Sequence, residues 1–278
     1  MRRIQRREFL VIAGGGAVAA LAAACGDDNG DGDGDGTPAG DTTPASGATA
    51  TVEAGADAGA VGLQWFGQSM FLLTSPGGTT VLLDPFNDIG YPVPPPFDSD
   101  AATITHEHPD HNNDALGGTA EVLRGLTADG WAEIDQPFGD VRVFTVPSYH
   151  DAAQGAERGN NAIFVYETGG LRIAHLGDLG HALTDEQLGP LAGPVDVLMV
   201  PVGGAFTIDA AVATEVVNQL QPKIVFPMHY KTDAVAFPLA TVDAFLEGKD
   251  VQRVGSTTTR LVKAELPAQA VTMVLDYA

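Results

Sequence analysis

From Val61 onward, apolar residues fall in short runs separated by Gly, Pro, Asp and Ser. Runs of that length with β-branched and aromatic content favour strands. Residues 62–66, 70–74 and 80–84 read as the first three, and Ser75-Pro76-Gly77-Gly78 supplies the turn between the second and third. Trp65 and Phe66 are core candidates. The Pro-rich stretch from Pro85 to Phe97 predicts a surface loop and a candidate lid. A helix is expected from about Asn113 to Leu126. Residues 141–146 form the next predicted strand, ending at Pro147-Ser148-Tyr149-His150. Residues 162–166 and 171–175 predict a hairpin around Thr168-Gly169-Gly170, whose second strand runs into Leu176-Gly177-Asp178. A buried strand over 195–200, a helix over 209–220, a strand over 223–228 ending in His229, and strands near 258–263 and 271–275 complete the pattern. Strands in runs, with helices between the later ones, suit two sheets packed face to face and covered by helices.

The first sixty residues follow a different rule. Residues 1–7 carry four arginines, and the apolar and glycine run from Phe9 to Ala24 is short for a membrane span. That layout predicts an export signal over 1–25. Arg6-Arg7-Glu8-Phe9-Leu10 looks like a twin-arginine signal, the route for chains exported already folded. Leu21-Ala22-Ala23-Ala24-Cys25 resembles a lipoprotein processing site, with its Leu one position further from the cysteine than usual. Residues 26–60 hold eight acidic residues and no basic one among Gly, Thr, Ala and Pro, and are expected to be a disordered tether. The folded domain is then 61–278, exported to the outer face of the cytoplasmic membrane or the periplasm and anchored by lipid at Cys25.

Composition narrows the chemistry. Cys25 is the only cysteine, so the folded part has no disulfide and no thiolate ligand. Residues 61–278 contain 27 acidic and 10 basic residues, a formal charge of −17. A field of that sign repels nucleic-acid phosphates and leaves a small molecule as the expected substrate. Within this acidic domain, Thr105-His106-Glu107-His108-Pro109-Asp110-His111 concentrates three imidazoles and the Asp110 carboxylate. Such a cluster costs solvation and packing freedom unless a divalent metal binds it, zinc first, with manganese and iron as alternatives. His150, Asp178, His181 and His229 also lie at predicted strand ends, where a rigid strand can fix a ligand beside an open loop.

The H-x-H-x-D-H spacing at 106–111 resembles the opening of the metal site in the metallo-β-lactamase superfamily. That resemblance implies an α/β fold, a single-domain αββα sandwich. It implies one metal on His106, His108 and His150, and a second on Asp110, His111 and His229, with Asp178 bridging. Gly67-Gln68-Ser69, Leu83-Asp84-Pro85-Phe86, Pro201-Val202-Gly203-Gly204, Ile208-Asp209-Ala210-Ala211 and Pro227-Met228-His229-Tyr230 also look like the zinc-dependent hydrolase branch that includes ascorbate-6-phosphate lactonase-like proteins. Gln68 departs from the histidine many relatives have there. The bridging carboxylate and the missing cysteine ligand set the chain apart from true β-lactamases.

The implied activity is dinuclear, metal-dependent hydrolysis, in which a metal-bridging hydroxide attacks an ester, lactone or phosphoester. Asp110 would ligate and orient the nucleophile. His181 is either a general acid or substrate donor, or an exposed loop residue. His175 is expected to pack or to support the site. Lys231 reads as a surface lysine, with pairing to a substrate anion as the other option. An exported metal- or ligand-binding lipoprotein without turnover is the alternative function. A di-iron electron-transfer role uses similar ligands, but no flavin domain follows in the chain.

Overall fold

The computed structural model describes residues 59–191 and 193–278. The export signal expected over 1–25, the expected Cys25 anchor and residues 26–58 of the expected tether lie outside the described residues. In chain order the strands are β1 (Val61–Gly67), β2 (Met70–Thr74), β3 (Thr80–Leu83), β4 (Ala101–Ile104) and β5 (Glu121–Arg124). A short ribbon of β6 (Leu126–Thr127) and β7 (Gly130–Trp131) follows, then β8 (Asp135–Phe138), β9 (Val141–Tyr149), β10 (Asn160–Thr168) and β11 (Leu171–His175). The later strands are β12 (Val197–Pro201), β13 (Ile224–Met228), β14 (Val251–Arg253), β15 (Thr258–Leu261) and β16 (Val271–Val274). One sheet has the order β15-β1-β2-β3-β4-β5, and the other β14-β16-β13-β12-β11-β10-β9-β8.

Side-chain alternation explains why the two sheets stack. Leu63 and Trp65 of β1, Phe71 and Leu73 of β2, and Val81 and Leu83 of β3 share one buried cluster with Phe164, Tyr166, Ile173 and Phe226 of the other sheet. The Thr103 and Tyr166 hydroxyls meet across this interior at 2.7 Å, which satisfies both buried polar groups. The intervening residues Phe66, Met70, Leu72, Leu82 and Ala102 point the other way and need their own cover.

That cover is where the expected helical layer thins out. The helix expected over 113–126 is instead a single 3-10 turn, Asp114–Gly117, followed by β5. Two local facts decide this. Gly118 sits at φ +64°, where a Cβ would meet the Phe97 carbonyl at 2.4 Å. The open edge of β4 then pairs in parallel with 121–124, from Ala101 opposite Glu121 to Ile104 opposite Arg124. Ladder hydrogen bonds at a sheet edge outweigh the weak helix preference of a Gly-Gly-interrupted run. The outer face is covered instead by irregular chain: Phe86 and Tyr91 of the Pro-rich stretch, Leu116 and Val235. The Phe86 and Tyr91 rings lie 5.6 Å apart, and Tyr91 meets Tyr277 edge-on at 5.0 Å.

Regular helices serve the second sheet. The chain forms α1 (Asp185–Leu188), α2 (Ala210–Leu220) and α3 (Asp243–Leu246). The helix expected over 209–220 is α2, and Asp209 caps it by accepting hydrogen bonds from the Ala211 and Val212 amides. Its Ala213 and Val216 pack inward, and the helix lies against β12. The architecture is therefore a mixed α/β sandwich, rich in sheet and sparse in helix. Among the described residues no helix is long and apolar enough to cross a membrane.

Because Phe86 is fully buried in the irregular cover, Phe86→Ala is expected to cost about 3 to 5 kcal/mol. Urea denaturation checks this; a midpoint unchanged from wild type would show that the stretch adds nothing to the core.

Candidate metal centre

Strand direction brings the chemistry to one edge. β11, β12 and β13 run parallel, so Asp178, the turn at 202–204 and His229 leave the sheet on the same side. β9 is antiparallel to β10, which is antiparallel to β11, so the end of β9 delivers His150 to that edge too. β3 and β4 are parallel in the other sheet and end in Asp84 and in the 105–111 loop. At Gly203 a Cβ would meet the His229 carbonyl at 2.2 Å, so glycine lets these two turns close together.

Three positions around the site hold left-handed backbone without being glycine: Gln68 at φ 48°, Asp84 at φ 42° and His229 at φ 51°. Such conformations persist only where surrounding contacts over-determine them. Asp84 has those contacts. Its carboxylate accepts from the Thr105 amide at 2.8 Å and the Thr105 hydroxyl at 2.7 Å, and meets His111 Nδ1 at 2.8 Å. His111 Nδ1 therefore carries the proton donated to Asp84, and Nε2 is directed into the site. With its own hydrogen on Asp84, the Thr105 hydroxyl accepts from His106 Nδ1 at 3.0 Å, which leaves His106 Nε2 as an acceptor facing the site, 3.1 Å from His108 Nδ1.

The side chains converge in two groups. In each of His106, His108, His150 and Asp110, His111, Asp178, His229, one donor atom per residue lies within 4.8 Å of the others. Asp178 touches both groups. Its Oδ2 lies 3.2 Å from His150 Nε2, 3.9 Å from His106 Nε2 and 3.3 Å from His229 Nε2, and its Oδ1 lies 3.2 Å from His111 Nε2. Asp110 Oδ2 lies 3.4 Å from His111 Nε2 and 3.6 Å from His229 Nε2, and accepts from Gln68 Nε2 at 2.9 Å. His111 Nε2, His229 Nε2 and Asp178 Oδ1 are buried with no hydrogen-bond partner. Leaving buried polar atoms unsatisfied is costly, and a bound cation relieves that cost. The donor set of imidazole and carboxylate fits zinc, manganese or iron.

Electrostatics differ between the groups. Burial, reinforced by the His111 charge, pushes His106 well below the usual imidazole range, and burial with the His150 charge lowers His108. These rings are neutral and ready to donate lone pairs. In the other group burial alone would lower His229, but the Asp178 charge and the nearby Asp110 carboxylate outweigh it and raise it to about 9. His111 is raised well above its ordinary value for the same reason, against burial. Burial would raise Asp110 and Asp178, yet the neighbouring histidines hold both carboxyls below the usual range.

The remaining candidates occupy other places. His181 is not brought into the cluster. Its Nδ1 donates to the Ala182 carbonyl at 2.7 Å and its Nε2 accepts from the Tyr149 amide at 3.2 Å. Both ring nitrogens are committed to backbone, so the general-acid expectation gives way to a loop-bracing role. His175 is buried, donating from Nε2 to the Ser69 carbonyl at 2.8 Å and accepting at Nδ1 from the Gly177 amide at 3.2 Å, just before Asp178. The Lys231 ammonium donates to the Val235 and Phe237 carbonyls and fixes the turn between them.

A cavity of about 410 Å³ opens over the cluster, lined by Pro109, Glu157, Arg158, Phe206 and Phe237 besides the donor residues. The 85–97 stretch does not line it, so the lid expectation is corrected. Asn87 instead braces the motif from behind, its amide donating to the Pro109 carbonyl at 2.7 Å. Asp84 was visible in sequence only as a familiar strand-end Asp-Pro, and Arg158, Phe206 and Phe237 carried no local signal at all.

In the metal-free protein the protonated His111 and His229 stabilise the fold. For His229 that contribution is complete below its ordinary 6.5 and is lost as pH rises through about 9. A divalent metal must displace those protons. Titration with such a metal is therefore expected to release protons, and its affinity to rise with pH up to about 9. Calorimetry in buffers of different ionisation enthalpy checks this; binding with no proton release would contradict protonation of His111 and His229 in the metal-free site.

Comparison with known proteins identifies the family. Residues 62–229 match a family model described as a β-lactamase superfamily domain. The chain is 30% identical over 193 residues to a metal-dependent hydrolase of Thermococcus onnurineus, covering 62% of this chain and 85% of that one. It is 29% identical over 262 residues to a metal-dependent hydrolase of Polynucleobacter asymbioticus, covering 78% and 90%. Among solved structures it resembles a Thermotoga maritima protein assigned as a zinc-dependent hydrolase of the metallo-β-lactamase superfamily. That match has a TM-score of 0.60 and 32% identity, and covers 77% of this chain and 98% of the other. The fold, the family match and the histidine–aspartate cluster together make this chain a member of the metallo-β-lactamase superfamily.

Proposed function

We propose that the protein is a metal-dependent hydrolase that holds two divalent cations, zinc first, and cleaves an ester, lactone or phosphoester bond in a small molecule. The observation that carries this reading is Asp178, a buried carboxylate whose two oxygens lie against donors of both groups. Relatives named metal-dependent hydrolases support the hydrolytic part. His106, His108 and His150 would hold one cation, and Asp110, His111 and His229 the other, with Asp178 shared. Bound there, the cations would supply water of lowered pKa and stabilise charge that develops on the substrate.

The chain's own groups do the rest. Both Asp110 and Asp178 line the cavity, but Asp110 is 18% exposed where Asp178 is 2% exposed, so Asp110 is the more open of the two. It can accept a hydrogen bond from an attacking water and so orient it. Gln68 holds Asp110 in orientation by donating from its side-chain amide. His108 and Pro109 form the rim next to it. Resemblance to the ascorbate-6-phosphate lactonase-like branch favours lactones within this range of substrates. Arg6-Arg7 and the apolar run before Cys25 support export of the folded, metal-loaded protein and a lipid anchor outside the cytoplasmic membrane.

Two sets of measurements test the reading. Metal analysis of the purified protein, followed by a panel of esters, lactones and phosphodiesters, should give bound metal and turnover of one class. Tightly bound metal with no hydrolysis of any class would instead favour a binding lipoprotein. His108→Ala and Asp110→Ala are expected to lose metal and activity together; full metal content with full turnover in either variant would sink the ligand assignment. Asp84→Asn keeps the donors but loosens His111 and Thr105, and is expected to weaken metal affinity about 10- to 100-fold. Competition against a chelator reads that loss, and an unchanged affinity would remove Asp84 from the site.

A further inference from the structure

The cavity wall carries groups that the hydrolytic reading leaves unused. Asp151 follows His150 directly, and its buried carboxylate organises the next turn. Oδ1 accepts from the Ala153 and Gly155 amides at 2.8 and 2.9 Å, and Oδ2 from the Glu157 and Arg158 amides at 3.0 and 2.7 Å. The loop that presents Arg158 is therefore built on the residue next to a metal-ligand candidate. Arg158 Nη2 donates to the Ala205 carbonyl at 3.0 Å, which ties this loop to the turn bearing Phe206. Phe206 is 37% exposed and meets Phe237 edge-on at 6.1 Å. These two rings make an apolar wall on the same cavity.

Exposed phenylalanine and a lone arginine at one mouth are unusual in a domain of charge −17. Among the described residues, Arg158 is the one lysine or arginine that lines this cavity. Its nearest carboxylate, Glu157, stands 3.7 Å away and is 68% exposed, so solvent screens the pair. One guanidinium N–H is used on Ala205, and the remaining donors match the planar fork of a carboxylate. A phosphate dianion would need more positive charge than one guanidinium beside Glu157 supplies.

We infer that Arg158 and the Phe206–Phe237 pair form a recognition site for a substrate that bears a carboxylate and an apolar segment next to the scissile bond. The inference deepens the hydrolase reading and rests on it. Arg158 binds the carboxylate, the two rings pack on the apolar segment, and the Asp151 turn holds both in register with His150.

The test compares two esters of equal length on the metal-loaded full chain: the p-nitrophenyl monoester of adipic acid, which carries a free carboxylate, and neutral p-nitrophenyl hexanoate. Wild type is expected to favour the carboxylate ester by about tenfold in kcat/KM, the range of a charge-assisted hydrogen bond. Arg158→Gln should collapse that ratio to about one through KM, and Arg158→Lys should restore part of it. Loosening of the two loops would weaken both substrates alike and leave the ratio intact. A ratio equal in wild type and Arg158→Gln overturns the inference. Calorimetry with adipamic acid and neutral hexanamide reads the same preference without turnover. If the substrate panel shows no hydrolysis, the hydrolase reading fails, while the amide pair still decides the role of Arg158.

Discussion

A carboxylate buried among four imidazoles is the constraint on which this molecule is built. Asp178 is 2% exposed and lies within 4 Å of ring nitrogens from His106, His111, His150 and His229. Burying one charge beside so many polar rings is unfavourable unless protons or cations balance it. In the metal-free state, protons on His111 and His229 provide that balance. The same geometry suits a divalent cation, whose binding would replace one kind of positive charge with another. Burial keeps His106 and His108 neutral, which makes the two halves of the site unlike before any metal arrives.

Holding such a cluster requires rigid delivery from both sheets. Parallel β11, β12 and β13 bring their ends to one edge, while the parallel pair β3 and β4 brings Asp84 next to the histidine loop. Asp84 then orients one ring directly and a second through the Thr105 hydroxyl. The left-handed backbone at Gln68, Asp84 and His229 is the conformational cost of aiming these side chains inward from strand ends. It is offset by bonds such as the His229 amide to the Gln68 carbonyl at 3.1 Å.

Much of this was legible beforehand because it is encoded locally. The H-x-H-x-D-H spacing, the strand-end positions of His150 and His229, Asp178, the helix over 209–220 and the strand runs are short-range patterns, and each stands where expected. Failures came where a distant partner decided the outcome. Residues 113–126 have a helical cast, yet the free edge of β4 draws 121–124 into the sheet. The Pro85–Phe97 stretch reads as a surface loop and candidate lid, yet the unpaired apolar face of the first sheet draws in Phe86 and Tyr91. His181 was open between a catalytic group and a loop residue, and the distant Tyr149 amide with the neighbouring Ala182 carbonyl occupies its ring.

Sequence by itself therefore determined the donor atoms and the strands that carry them, since residue type and spacing suffice for both. Tertiary structure alone decided which nitrogen of His106 and His111 faces the site, because Asp84 and Thr105 hold the other ring nitrogen of each. It also decided what surrounds the metal cluster. Arg158, Phe206 and Phe237 come from three separate loops, and nothing in their local sequence records that the sheet edges bring them to one cavity.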